Sequence, residues 1–341
     1  MSRQNAVHIP KDVLVQVGKD LGMEVNRLSS YFGLEEDTKK LEIDPTWMDV
    51  LPVVLQPLNF AGVKVLFEDD SLLYTNVLSD EKDAAYVGNE AEDLVAVLIS
   101  PDVIMHELAA YLGEVEETPR VKQELSLEAL VALLAIGDTV KRIKLRNILD
   151  PNLTVFDLDL QTVSDEFMLA VNANDLRWMA PFMQDLRYEA KKIDFSKTLN
   201  ELSKLGIIQY KDKQIEIDDK GAVLFEEFLN RKTMLGIRSA FYHEGLLNYL
   251  SLAFIRTQNY IWYLDGAEKS SIMNLSPLEL EGFIATMFAP GEVPPALEVK
   301  HVEEEVVEVK KEASNPRFCR NCGEKLNSGA KFCKSCGTKL T

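Results

Sequence analysis

All four cysteines of this 341-residue chain lie in its last 23 positions, in two matching runs. Phe318-Cys319-Arg320-Asn321-Cys322-Gly323-Glu324-Lys325-Leu326 recurs 14 residues later as Phe332-Cys333-Lys334-Ser335-Cys336-Gly337-Thr338-Lys339-Leu340. Each Cys-x-x-Cys-Gly makes a tight knuckle: two sulfurs converge on one point, and the glycine permits the turn and leaves backbone N–H groups to bond thiolate. Four soft donors predict one tetrahedral Zn²⁺ held by Cys319, Cys322, Cys333 and Cys336. Four sulfurs also hold iron, and two disulfides or a redox dithiol are the other readings of such pairs. The first 318 residues contain no thiol, whereas a disulfide framework would be expected to staple the body as well.

Residues 317–341 resemble a small zinc ribbon of the kind that ends many bacterial and archaeal proteins. The resemblance implies a structural metal, because four protein ligands leave no position for a water to become a nucleophile. A segment of this size has almost no core, so metal binding would supply its folding energy. Arg317, Arg320, Lys331 and Lys334 lie around the ligands. They balance the thiolates or present a basic face to nucleic acid or to an acidic partner.

The chain as a whole is acidic, with 37 Lys or Arg against 55 Asp or Glu and a net charge of −18. That balance argues against coating nucleic acid with the whole surface. Its distribution is uneven: residues 1–290 carry −19, residues 291–316 carry −4 and residues 317–341 carry +5. Residues 291–316, opened by Gly291-Glu292-Val293-Pro294-Pro295, read as an acidic flexible linker. The expected organisation is an α+β part over 1–120, a second over 121–290, the linker, and the ribbon over 317–341. No apolar run is long enough to span a membrane, and the start lacks a hydrophobic signal core, so a cytoplasmic protein is expected.

Periodicities within 1–290 are mixed and predict an α+β fold with mostly antiparallel strands. Val63–Phe67 and Ser71–Leu78 read as a pair of strands around Glu68-Asp69-Asp70, and Leu94–Ile99 as a further strand. Ser100-Pro101 then opens a helix through Val103, Ile104, Leu108 and Leu112. The same grammar returns late: Tyr260–Leu264 and Ile272–Leu275 as strands, then Ser276-Pro277 opening a helix through Leu280, Phe283, Ile284 and Met287. The recurrence marks two related halves or a coincidence of generic capping physics. In this two-half order the body resembles the EspG family of ESX secretion chaperones, which implies shielding of the aggregation-prone tip of a secreted partner. Between the halves, a helical stretch beginning at Ser126 carries Leu127, Leu130, Val131, Leu134 and Ala135, then the basic residues Lys141, Arg142, Lys144 and Arg146.

Residues 194–229 read as helix, helix-ending Gly206, hairpin over 207–218, and helix through Phe225, Phe228 and Leu229, an order that resembles a winged helix. In DNA-binding members the helix before the hairpin enters the major groove, which would place Lys197 and Lys204, with Ser196, Thr198, Asn200 and Ser203, against DNA. Glu201 stands among them, the hairpin carries Asp212, Glu216, Asp218 and Asp219, and acidic and basic residues nearly balance across the region. A structural or protein-binding wing is therefore expected.

The four histidines are scattered, and no phosphate loop, dinucleotide fingerprint, nucleophile elbow or zincin helix is present. Asp157 and Asp159 share a strand face, but such pairs are frequent in a chain this acidic. Trp47, Trp178 and Trp262 sit among apolar neighbours and are expected in the core. The resulting expectation is a non-enzymatic, adaptor- or chaperone-like protein that binds a protein partner and carries a structural zinc ribbon. The competing expectation is a nucleic-acid-associated transcriptional regulator.

Overall fold

The computed structural model describes residues 6–23, 25–32, 43–80, 82–116, 121–150, 158–186, 193–243, 246–266, 269–288 and 300–301. The chain divides into two compact units, Met1–His301 and Val302–Thr341. The whole of the second unit, and with it the expected ribbon, lies outside the described residues, as does most of the expected linker.

The first unit is α+β, built on one antiparallel sheet. Each half has the same order of elements. In the first half the edge strand β1 (Val7–Pro10) leads into helices α1 (Lys11–Asp20) and α2 (Leu51–Leu55). A meander follows, of β2 (Asn59–Leu66), β3 (Leu72–Ser79), β4 (Ala84–Glu90) and β5 (Asp93–Ile99), and then helix α3 (Pro101–Leu112).

The second half repeats this with an insertion. Its edge strand is β6 (Lys122–Ser126), its first helix α4 (Leu127–Leu149), and the inserted elements are α5 (Leu160–Asn172), α6 (Met179–Asp185), α7 (Phe195–Lys204), β7 (Ile208–Lys211) and β8 (Gln214–Ile217). Helix α8 (Asp219–Leu229) then precedes a meander of β9 (Thr233–His243), β10 (Leu246–Arg256), β11 (Ile261–Asp265) and β12 (Lys269–Asn274), and α9 (Pro277–Phe288) closes the half. Strand order is β1-β5-β4-β3-β2-β9-β10-β11-β12-β6, with β13 (Lys300–His301) beside β10, so the halves meet at the β2–β9 pair. The Ser-Pro recurrence in the sequence is one part of this repeated order.

Period-two alternation places the sheet residues in three cores. On one face Val63, Val65, Ile237, Leu252 and Tyr263 pack under α3 and α9, where Tyr263 stacks on Phe283 at 4.5 Å. Glu107 of α3 accepts from the Tyr86 and Tyr111 hydroxyls at 2.8 and 2.9 Å, which ties that helix to β4. The other face is divided. At one end Phe60, Leu78, Val87 and Leu94 lie under α1 and α2, and at the other Met234, Ile255, Trp262 and Leu264 lie under α4, α6 and α8.

Helix α4 is the spine of the second half. Its N-terminal Ser126 hydroxyl accepts from the Ala129 amide, and residues 129 to 140 are buried on all sides. Asp138 sits within that stretch. Its two oxygens accept from the Met179 and Ala180 amides at 3.0 and 2.8 Å, anchoring the start of α6. Burial pushes the Asp138 carboxyl up to about 6, against the pull of those amides and of Arg231 and Arg142. A raised acid holds its proton longer in the folded state, so stability declines as pH rises from about 4 to about 6, by up to roughly 3 kcal/mol from this group. Asp138→Asn abolishes that dependence, and its deficit against wild type in urea melts is expected to be larger at pH 4 than at pH 7. An equal deficit at both would remove Asp138 as the source.

The two arginines of the basic cluster of α4 are paired locally, while Lys144 is exposed. Arg142 and Arg146 both bind Glu166 of α5, at 2.6 and 2.5 Å, and the Arg142 guanidinium lies 4.1 Å from the Trp178 ring centroid. Trp47 and Trp262 are core residues, but Trp178 is only half-buried because its indole serves this cation and donates to Asp175. Asp159 caps α5 by accepting from the Thr162 amide, while Asp157 lies outside the described residues. No helix among the described residues is long and apolar enough to cross a membrane.

Candidate functional site: a cationic groove at the seam

The divided face leaves two rows of residues between its cores. The β2–β9 register sets Gly62 opposite Arg238 and Lys64 opposite Gly236, about the central pair Val63–Ile237. Gly62-Val63-Lys64 and Gly236-Ile237-Arg238 are thus the same pattern on antiparallel strands, and each glycine faces the other strand's cation. Glycine inside a strand commonly marks a close approach by another group, and here it leaves room on the floor of the seam.

The two glycines are used differently. A Cβ on Gly236 would lie 2.8 Å from the side chains of Leu186 and Phe182, because the end of α6 presses on β9 there. A Cβ on Gly62 would meet nothing closer than the Tyr74 hydroxyl at 3.6 Å. A groove of about 470 Å³ opens on the Gly62 side. Its floor is Phe60, Gly62, Lys64, Arg238 and Ala240, and its walls are Arg27 and Leu28 on one side and Leu247 and Tyr249 on another, with Tyr74 at the β3 rim.

Local bonds hold the Arg27–Leu28 wall and the floor. Asn26 accepts from the Leu28 and Ser29 amides and donates to the Pro57 carbonyl at 2.7 Å, while the Ser29 hydroxyl donates to Val54 and Leu55. These bonds pin the turn bearing Arg27 and Leu28 to the end of α2. From the second half, Asp185 at the end of α6 pairs with Lys64, and its carbonyl accepts from Arg238 at 3.5 Å. The Ser251 hydroxyl donates to the Leu186 carbonyl at 2.7 Å. Among the described residues the groove lining includes Arg27, Lys64 and Arg238 and no carboxylate, and Lys64 is paired with Asp185.

The sequence-derived candidates lie elsewhere. Cys319, Cys322, Cys333, Cys336, Arg317, Arg320, Lys331 and Lys334 are outside the described residues. Lys197 and Lys204 are exposed on α7. That helix ends at Gly206, at φ +68, and a two-residue turn at Asp212 and Lys213, both at positive φ, joins β7 to β8. The local order of elements over 194–229 is therefore present, but its surface differs from expectation at two positions. Thr198 is buried and bonds back to the Asp194 and Phe195 carbonyls. Glu201 accepts from the Ser126 amide and hydroxyl at 2.7 and 2.8 Å, so this side of α7 holds the start of α4. Among the described residues no group of three His, Cys, Asp or Glu is placed to hold a metal ion.

Residues 318–340 match the zinc-ribbon domain family. Four thiolates in two knuckles are the donor set such a domain uses for zinc, and the chemistry of this segment fits it. No curated protein matches the chain. Among solved structures, the chain is similar to the Mycobacterium tuberculosis type VII secretion system chaperone EspG5, solved in complex with a PE25–PPE41 dimer. Identity is 8%, coverage is 83% of this chain and 95% of that one, and the TM-score is 0.38. EspG5 belongs to the family that the two-half order resembles. At that TM-score the likeness carries no inference about a partner.

Proposed function

We propose that the protein is a non-enzymatic adaptor whose body docks a protein partner in the seam groove and whose carboxyl-terminal ribbon is a structural zinc module. The carrying observation is the groove itself: a concave site at the junction of two similar halves, with a strand floor and a lining that is largely apolar and aromatic among the described residues. In the ribbon, Cys319, Cys322, Cys333 and Cys336 would fill the coordination shell of one Zn²⁺. The metal supplies folding energy there and activates no water. A ribbon tethered by residues 291–316 gives the partner a second contact at raised local concentration.

Gly62→Phe tests the reading, since it fills the groove where the backbone leaves space and a strand accepts the side chain. We expect the variant to melt like wild type and to lose the protein that co-purifies with the wild-type chain. Gly236→Ala, by contrast, overpacks the α6 contact and is expected to cost roughly 1–3 kcal/mol. Recovery of the same partners by Gly62→Phe and wild type would sink the groove reading. The regulator alternative is tested by mobility shift at low salt, where retardation of excess non-specific DNA, lost in Lys197→Glu with Lys204→Glu, would favour it.

A further inference from the structure

We infer that one wall of the seam groove is also a strand-accepting edge: an extended segment of a protein partner adds to β10 there and displaces the chain's own strand β13. The inference rests on the groove being the partner site. Strand β10 spans Leu246–Arg256, but β11 pairs with Leu252–Arg256. The stretch that carries Leu247 and Tyr249 therefore runs past the end of β11, and on that side it pairs, among the described residues, with Lys300 and His301. The Ser251 carbonyl accepts from the Gly266 amide at 2.9 Å, on the side away from β9. Backbone groups alternate between the two edges of an antiparallel strand, so those of Leu247 and Tyr249 point to the same outer edge. Such an edge is a template for another extended chain.

The chain itself supplies the first occupant. β13 lies antiparallel, with Lys300 opposite Tyr249 and His301 opposite Asn248. It is joined to α9 through residues 289–299, whereas β9 and β11 reach β10 by short connections, so closing the β13 contact costs more chain entropy. These are also the last residues of the first unit, and terminal edge pairings are among the first to open. Nor does β13 complete the site. Asn248 is fully buried; its Nδ2 donates to the Leu246 carbonyl at 2.9 Å, while its Oδ1 has no hydrogen-bond partner. A buried acceptor left in that state is costly, and a strand bearing a donor side chain opposite Asn248 relieves it. Residues opposite Leu247 and Tyr249 fall on the other face and extend the groove wall. The fitting partner segment is therefore extended, apolar at two positions two apart, with a donor such as Ser, Thr, Asn or Gln between them.

The test uses the full-length protein. Lys300→Pro with His301→Pro removes the backbone donors of β13 and should raise hydrogen exchange over residues 246–250 by at least about tenfold, with exchange in β11 and β12 unchanged. Equal exchange in that variant and wild type would overturn the self-docked strand. Peptides are then selected from an unbiased displayed library against both proteins. Synthetic copies should bind at least about tenfold more tightly to the proline variant, because less of the wild-type edge is open to them, and should restore slow exchange over 246–250. Methylation of alternate backbone nitrogens of the peptide, which removes donors and keeps side chains, should abolish binding in one of its two registers. Equal affinity for the two proteins would overturn the displacement. Peptides that survive methylation in both registers and are lost in Gly62→Phe would overturn strand addition and leave the groove reading intact. Peptides sensitive to methylation but indifferent to Gly62→Phe would overturn the groove reading and leave strand addition standing. Failure to select any peptide with either protein would overturn the inference.

Discussion

Gly221→Ala is expected to destabilise the first unit by at least about 3 kcal/mol, near the upper end of what overpacking does. A Cβ at this position would lie 2.0 Å from the Ile207 carbonyl oxygen and 3.1 Å from its carbon. Both obstructing atoms belong to the backbone, so no rotamer change relieves the clash. Ile207 is fully buried and its carbonyl already accepts from the Asp218 amide at 3.2 Å. The relief available is a shift of α8, which carries Leu224, Phe225 and Phe228 in the core it shares with α4 and α6. Phe225 in turn packs against Gly137 of α4, where an added Cβ would lie 3.5 Å from its ring. The disturbance therefore reaches the spine of the half. Urea denaturation with Gly88→Ala as reference is the measurement, since Gly88 has nothing within 4 Å of its would-be Cβ. Equal midpoints for the two variants would refute the close approach.

The second large effect concerns the ribbon. One zinc per full-length chain is expected by elemental analysis, with the four thiols protected from alkylation until a strong chelator is added. Structural zinc in comparable peptides contributes on the order of 10–16 kcal/mol, far more than a segment of 25 residues obtains from its own apolar contacts. Any one of Cys319→Ser, Cys322→Ser, Cys333→Ser or Cys336→Ser should therefore expose the remaining three thiols to reagent. The first unit should keep its melting temperature, because it contains no cysteine. A full chain without zinc and with four freely reacting thiols would end the metal reading.

The ribbon was legible because its chemistry is local: ligand type and spacing are both written within 25 residues, and a family match follows from them. Local physics also made α3, α4, α7, α8 and α9 visible through caps and helical spacing, and β2, β3, β5, β11 and β12 through short apolar runs between turns. The long strands β9 and β10 escaped notice. They are central and covered on both faces over much of their length, so Leu252–Ile255 reads as a short continuous apolar run with no alternation to mark a strand. Thr198 and Glu201 looked outward because a sequence shows helical faces without showing which neighbour takes each one. The groove escaped for a related reason. Its pattern, glycine, β-branched residue, cation, occurs at 62–64 and at 236–238, but only the antiparallel pairing of those strands sets each glycine against the opposite cation. Two glycines inside apolar runs were the available signal.

The junction between the halves also bears on how the chain assembles. Contacts inside each meander are between neighbouring segments, whereas the β2–β9 pair closes a loop that contains α3 and every element up to α8. Local hairpins form quickly and distant pairings slowly, so each meander should exist for a time with its innermost strand bare. A bare apolar strand invites pairing with the wrong chain, and a charge projecting from its middle is a common safeguard. Lys64 and Arg238 occupy those positions, so the charges set at the seam of the finished molecule also act as gatekeepers while it is being made.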